Sequence, residues 1–420
     1  MKRLVTIISF LLLIINTGNC QTRFFKEYPA DFSKEINNIT NGRLRVNDTN
    51  ASLNLDYGNR GEVRSNGLML ISVPENLFSL EKAELYLELW GGHPGTKNKH
   101  FSLNGKQIYS LQEVGAAAGH CVYSNPVIPV KIQHLVNAAN ALLFSCENPK
   151  GWGHYIIEHA TIRCYLAPDH PVLTKNGLHH FSAEIKLASS NCILGDEVGM
   201  QLTYPKSHES SIDSVVYFGR YLDFDENGDG IENDWHGFSI NGTFENHLGT
   251  VSEPPFQIVW NTSMIPDQGK PLAIKALVCL KNGVRYWTPV RDGLYLSKNR
   301  KPVTLIPCTS MPVPFWARAS REMKATMILP DNIDKIEQAM LLIKTWYTQI
   351  EHSVYHFSIN NHEYTIISEG CDKKPLLSKI DVNPAHLKSG DNEISLFCDT
   401  RHHGIEVLLP GPCLLIRYHE

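Results

Sequence analysis

Apolar and polar residues alternate along most of this chain. In LEKAELYLELW, Leu85, Leu87 and Leu89 alternate with Glu84, Tyr86, Glu88 and Trp90, which is the period of two of a strand with one buried face. AEIKLAS, VGMQLTY, LAIKALVCL and VRYWTPV read the same way. Gly, Asn and Pro clusters break the apolar runs about every 8 to 12 residues, a spacing that predicts sandwiches and not βαβ units. Helical periodicity is nearly absent; VKIQHLVNAANAL predicts one short helical turn. The pattern predicts an all-β protein.

The pattern also repeats. LEKAELYLELW, ending at Trp90, matches IEQAMLLIKTW, ending at Trp346, and FSLNGKQIYSL from Phe101 matches FSINNHEYTII from Phe357. Both blocks lie 256 residues apart, so the match runs without a gap across two adjacent strands. Further matches follow around Cys146 and Cys398 and between ATIRCYL and CLLIRYHE, and each unit holds three cysteines: Cys121, Cys146 and Cys164, then Cys371, Cys398 and Cys413. Two homologous jelly-roll-like β-sandwiches are therefore expected, at residues 61–166 and 310–420, after an N-terminal segment at 21–60. Proline-bearing joints, APDHPVLTKNG and KPVTLIPCTSMPVP, bracket a middle segment, 178–297, whose strands predict an immunoglobulin-like β-sandwich between the two copies.

Composition narrows the setting. The formal net charge of −4 and the absence of a Lys/Arg run argue against nucleic acid or an anionic membrane as partner. Residues 1–20 have a secretory layout, with Lys2 and Arg3 ahead of an apolar stretch from Leu4 to Ile15, and no later stretch is long enough to span a membrane. A soluble protein outside the cytoplasm is expected, with lipid anchoring through Cys20 as the less favoured alternative, because Thr17, Gly18 and Asn19 lack the usual flanking character. Export makes disulfides the default use of cysteine. The expected pairs are Cys121–Cys146, Cys371–Cys398 and Cys192–Cys279, the last open to competition from Cys308.

The middle segment contains DFDENGDGIENDW, Asp223 to Trp235. Asp225, Asn227, Asp229 and Asp234 space hard oxygens as a calcium ion needs, Ile231 offers a carbonyl, and Asp223 and Glu232 are further donors. The run resembles the calcium loops of dockerins and thrombospondin type 3 repeats, which implies a structural calcium. It departs from an EF-hand because His236 stands where a bidentate Glu belongs. The bland alternative is an acidic hairpin tip in solvent.

What the first copy has and the second lacks points to chemistry. After Trp90 comes GGHPGTKNKH, whereas Trp346 continues without glycine as YTQIEHSVYH; the aromatic GWGHYIIEH likewise faces RHHGIEVLLPG. Glycines permit close approach of a ligand, and an exposed Trp beside hydrogen-bonding side chains suits a sugar. The expected glycan-binding residues are Trp90, His93, Asn98, Trp152 and His154, against the plainer reading that a Trp ending a strand in both copies fills a core. The overall layout resembles extracellular proteins of polysaccharide-degrading bacteria, a resemblance of architecture without a catalytic motif. It implies a secreted glycan-binding or accessory protein. The alternatives are a glycoside hydrolase using Glu88 and Glu158, a polysaccharide lyase using His93, His154 or Tyr155, and a structural or adhesive surface protein.

Overall fold

The computed structural model describes residues 23–32, 39–40, 43–47, 67–147, 153–189, 191–348, 353–366, 374–401 and 404–419. Nearly every element is a strand, and all pairs are antiparallel except Ile193–Leu194 against Arg291–Leu296. The helical turn expected near residue 132 is the 3₁₀ turn Ile132–His134. Among the described residues no helix is long and apolar enough to cross a membrane.

The two copies match strand for strand. In the first, Tyr155–Leu166 runs between Leu80–Trp90 and a pair of N-terminal strands, Phe24–Pro29 and Arg43–Val46. The facing sheet orders Leu68–Ser72, Ala139–Glu147, Lys97–Leu103 and Gln107–Ser110. In the second copy Cys413–Tyr418 lies between Val303–Pro307 and Ile336–Thr348, and the facing sheet orders Arg321–Leu329, Gly390–Cys398, Tyr355–Ile359 and His362–Glu363. Register agrees to the residue: Pro29 lies opposite Thr161 and Pro307 opposite Cys413. The repeat thus begins well upstream of the segment legible in sequence.

A polar corner is duplicated along with the strands. In the first copy the Asn104 side chain donates to the His134 carbonyl at 2.8 Å and to Asn140 Oδ1 at 2.9 Å, and Tyr109 meets His134 Nδ1 at 2.7 Å. In the second, Asn360 donates to the His386 carbonyl and to Asn392 Oδ1, both at 2.8 Å, and Tyr364 meets His386 Nδ1 at 2.7 Å. Asn140 and Asn392 are both fully buried and each closes the turn before its own strand, receiving the Val136 and Lys388 N–H groups. Buried amides cost stability unless paired, so each corner fixes one loop conformation in its sandwich.

The middle segment continues the first sandwich. Phe24–Pro29 pairs on one side with Tyr155–Leu166 and on the other with Arg285–Trp287, so one sheet runs through both. Glu27 on that strand accepts from Arg163 at 2.8 Å and from Arg285 at 2.9 Å, tying the two halves together. One hydrophobic cluster extends from Leu44 through Phe101 and Ile162 to Val215 and Leu294, while the second sandwich has its own core around Leu341, Phe357 and Leu396.

The repeated tryptophans meet. Trp90 and Trp346 stack at 5.7 Å with 26° between their planes, joined by Tyr123, Ile156 and Leu408 in a small apolar seam. The strand positions two residues before them, Glu88 and Lys344, both reach the middle segment. Glu88 accepts from Ser239 Oγ at 2.6 Å and from the N–H groups of Asn241 and Gly242, and Lys344 Nζ donates to the Glu226 carbonyl at 2.5 Å.

The expected disulfides do not form. Cys121, Cys192, Cys279 and Cys398 are free thiols, and Cys371 lies outside the described residues. Cys146 is buried in the main core with its thiol toward the Val46 carbonyl, whereas Cys121 belongs to the tryptophan seam and points to the Phe315 carbonyl. Cys192 sits exposed beside the edge strand Ile193–Leu194, away from Cys279 on the interior strand Leu272–Leu280. Cys146 and Cys398 do occupy equivalent positions, since Phe101 pairs with Phe144 and Phe357 with Leu396, each two residues earlier on its strand. Cys164 and Cys413 do not: Cys413 lies opposite Leu342, the counterpart of Tyr86, and Tyr86 faces Thr161.

Candidate ligand site at the junction of the first sandwich and the middle segment

Three of the residues expected to bind glycan, Trp90, His93 and His154, meet, with Trp90 and His154 buried. His93 and His154 lie with rings 4.7 Å apart, and the His93 N–H donates to the His154 carbonyl at 3.1 Å, so the two loops meet at the end of the Trp90 strand. Trp90 itself is only 5% exposed; its Nε1 donates to Glu406 at 2.8 Å and its face is covered by Trp346. His154 is buried, His93 is half-buried, and Asn98 is exposed at a left-handed position, φ 51°. Trp152 lies outside the described residues. Trp90 therefore joins the two copies, as a residue retained in both copies for the core would.

Glu88 and Glu158 also come together, bridged by the Tyr123 hydroxyl at 3.5 and 3.1 Å. Both are shut away, Glu88 at 0% and Glu158 at 5% exposure, and Arg43 lies 3.1 Å from Glu158. Burial raises the Glu158 pKa above the usual carboxylate range against the pull of Arg43 and Tyr123. Glu88 is occupied by the Ser239–Gly242 turn. Tyr155 is fully buried, its hydroxyl toward the Ser145 carbonyl at 3.4 Å. These groups hold segments together; a reacting sugar needs its two carboxyl groups across an open cleft.

The acidic loop serves the assembly. Asp225 accepts from the Asp229 and Gly230 N–H groups, Asn227 Oδ1 from Asp229, Asp229 from Ile231, and Asp234 from Trp235. Asp223 accepts from its neighbour Phe224. Among the described residues no three His, Cys, Asp or Glu side chains gather as a metal-binding group. One side of the loop packs on the second sandwich, where a side-chain carbon at Gly228 would come within 3.0 Å of the Leu409 carbonyl. The other side faces a pocket.

That pocket, of about 320 Å³, opens between the first sandwich and the middle segment. Its floor is the continuous sheet. Phe218 and Lys275 lie opposite each other on paired strands, Trp235 pairs with Arg220, and Trp287 pairs with Leu277. Alternation turns all of these side chains to one face. From the first sandwich come Tyr86, Asn125 and Arg163, whose guanidinium lies 4.4 Å from the Tyr86 ring. Trp235, Trp287, Phe238 and Phe244 line the pocket and are half-buried, so aromatic surface stays open to a ligand. Lys275 Nζ sits 4.0 Å from the Trp235 ring and 4.4 Å from the Trp287 ring. Burial, reinforced by Arg163, pulls its pKa down to about 8, against the opposing pull of Asp234 and Glu84.

Sequence reasoning missed this pocket, although two signals were present: a lone lysine within the apolar strand LAIKALVCL, and Trp235 closing the acidic run. The partner surface was illegible because the sheet that joins the segments depends on residues 24–29, far away in the chain.

No family model matches the chain, and no curated protein matches its sequence. Solved structures with some likeness include a β-porphyranase of glycoside hydrolase family 86 from the human gut bacterium Bacteroides plebeius, at TM-score 0.25 and 10% identity, over 57% of this chain and 37% of that one. Fibronectin(III)-like modules of Clostridium thermocellum CbhA match at TM-score 0.17 and 13% identity, over 54% and 92%. A β-glucuronidase from Bacteroides uniformis matches at TM-score 0.19 and 8% identity, over 56% and 30%. The chain spans little more than a third of the length of the first of these. At such scores the likeness bears on no functional assignment.

Proposed function

We propose that this is an exported glycan-binding or accessory protein that takes a saccharide in the pocket between the first sandwich and the middle segment. The observation that carries the reading is the half-buried pair Trp235 and Trp287 on a pocket floor shared with polar side chains. A sugar ring has an apolar CH face and a polar rim, and this floor offers both kinds of partner at once. The layout of residues 1–20 supports export. The proposed site lies at the junction and not on Trp90, whose face is covered by Trp346.

The test is affinity electrophoresis against a panel of soluble polysaccharides, with reducing ends measured in parallel. The wild-type protein is expected to be retarded by at least one polymer without releasing product, and Trp235→Ala and Trp287→Ala each to weaken that retardation about tenfold or more, as loss of an aromatic platform does. Retardation unchanged in both variants would refute the pocket, and newly formed reducing ends would refute a purely binding role.

A further inference from the structure

Lys275 is a half-buried ammonium without a polar partner. Among the described residues its Nζ makes no hydrogen bond and no ion pair; its neighbours are the faces of Trp235 and Trp287. An ammonium has three donors, and holding it between indoles gives it an attractive field without satisfying any of them. Arg220 repeats the situation: it lies 5.6 Å from the same Trp235 ring and likewise has no hydrogen bond or ion pair among the described residues. Two unpaired cations thus share the Trp235 ring, Lys275 on the pocket lining and Arg220 behind it.

Among the described residues none of the nearby carboxylates pairs with Lys275. Asp229 accepts from Ile231 and Asn227 within its own loop, and Asp234 accepts from the Trp235 N–H. Glu84 accepts from the Tyr165 hydroxyl at 2.9 Å, with Arg163 3.7 Å away. Arg163 in turn is held by Glu27. What remains unmet at the pocket is the donor capacity of the Lys275 ammonium, and a hydroxyl or ring oxygen supplies acceptors without the charge. An ammonium without a counter-ion gains most from an anionic acceptor.

Building on the saccharide reading above, we infer that the ligand is an acidic saccharide, whose carboxylate or sulfate group is received by Lys275 while its ring meets the aromatic surface that Trp235 and Trp287 leave open. The two sources of anionic charge are separated by matched polymers. Polygalacturonate is compared with its methyl ester, and carrageenan with its desulfated form, in affinity electrophoresis at constant ionic strength.

The wild-type protein is expected to bind one charged polymer about tenfold or more tightly than its neutral twin. Lys275→Met, which keeps the length and the packing between the indoles, removes that preference; Lys275→Arg retains most of it. Thermal melting confirms that both variants fold, so a lost preference is not a lost fold. Equal affinity of the wild-type protein for charged and neutral twins, with Trp235→Ala still abolishing both, would overturn the acidic ligand while leaving the saccharide pocket in place. Charge preference that survives in Lys275→Met would also overturn it. Binding that no pocket variant alters, or no binding to any polymer, would count against both the pocket and the inference.

Discussion

Glu406 stands opposite Trp346 on the paired strand, where the first copy places Ile156 opposite Trp90. This one charge receives the Trp90 indole N–H across the seam, while no hydrogen bond forms at the corresponding Trp346 Nε1. Burial pushes the Glu406 pKa up from its ordinary 4.5 to about 7, with Trp90 and Arg318 opposing. Because the folded protein holds this proton more tightly than the unfolded chain does, Glu406 costs nothing below about pH 4.5 and lowers stability progressively as pH rises toward 7. Glu406→Gln keeps an acceptor for Trp90 and cannot ionise. Urea unfolding is expected to show the variant gaining on the order of 3 kcal/mol over wild type between pH 4.5 and pH 7, with the two alike at the acid end. A difference independent of pH would refute the assignment. The shared tryptophan was legible from the repeat, but its partner was not: alternation shows which face a residue takes, and Glu406 lies 316 positions away on another sandwich.

At the scale of elements, the duplicated asparagine corners make a paired prediction. Asn140→Ala strips the Val136 N–H and the Asn104 amide of their acceptor, and Asn392→Ala does the same to Lys388 and Asn360. Each variant is expected to lose roughly 2 to 4 kcal/mol in denaturant unfolding, the cost of orphaned buried donors together with a loosened turn. The two losses should be of similar size because the corners match contact for contact; a loss in only one copy would show that the contacts differ in energetic weight. Strands and the repeat were readable because period-two alternation is local. The corners escaped notice because His134 and His386 stand at an offset of 252 and Asn104 and Asn360 at 256, so loop-length changes break the alignment between residues that touch. The Cys121–Cys146 bridge failed for a related reason: nearness in the chain does not put two residues in one core, and Cys121 lies in the tryptophan seam while Cys146 lies in the main core.

At the scale of the whole molecule, three sequence segments make two bodies of core, with the acidic loop wedged between them. Phe224, at the start of that loop, packs with Val303, Leu342 and Leu415 of the second sandwich. Asp225 and Asp234 carry pKa values raised by burial, so the loop holds desolvated carboxylates at a seam. If calcium completes the loop, added calcium should raise the melting midpoint by several degrees and chelator should reverse it, since a ligand of the folded state stabilises by mass action. An unchanged midpoint would leave the loop supported by its own hydrogen bonds and its packing on the second sandwich.

Glu88 and Lys344 give the duplication a direction. Two near-copies of one sandwich offer the middle segment two similar faces, and apolar packing alone discriminates poorly between them. At this one pair of equivalent positions the signs are opposite. The Asn241 and Gly242 N–H groups suit only Glu88, and the Glu226 carbonyl suits only Lys344. Exchanging the faces would set acceptor against acceptor and donor against donor, each desolvated. This divergence between the copies thus adds to the shared sheet a second reason for the assembly to close in one sense.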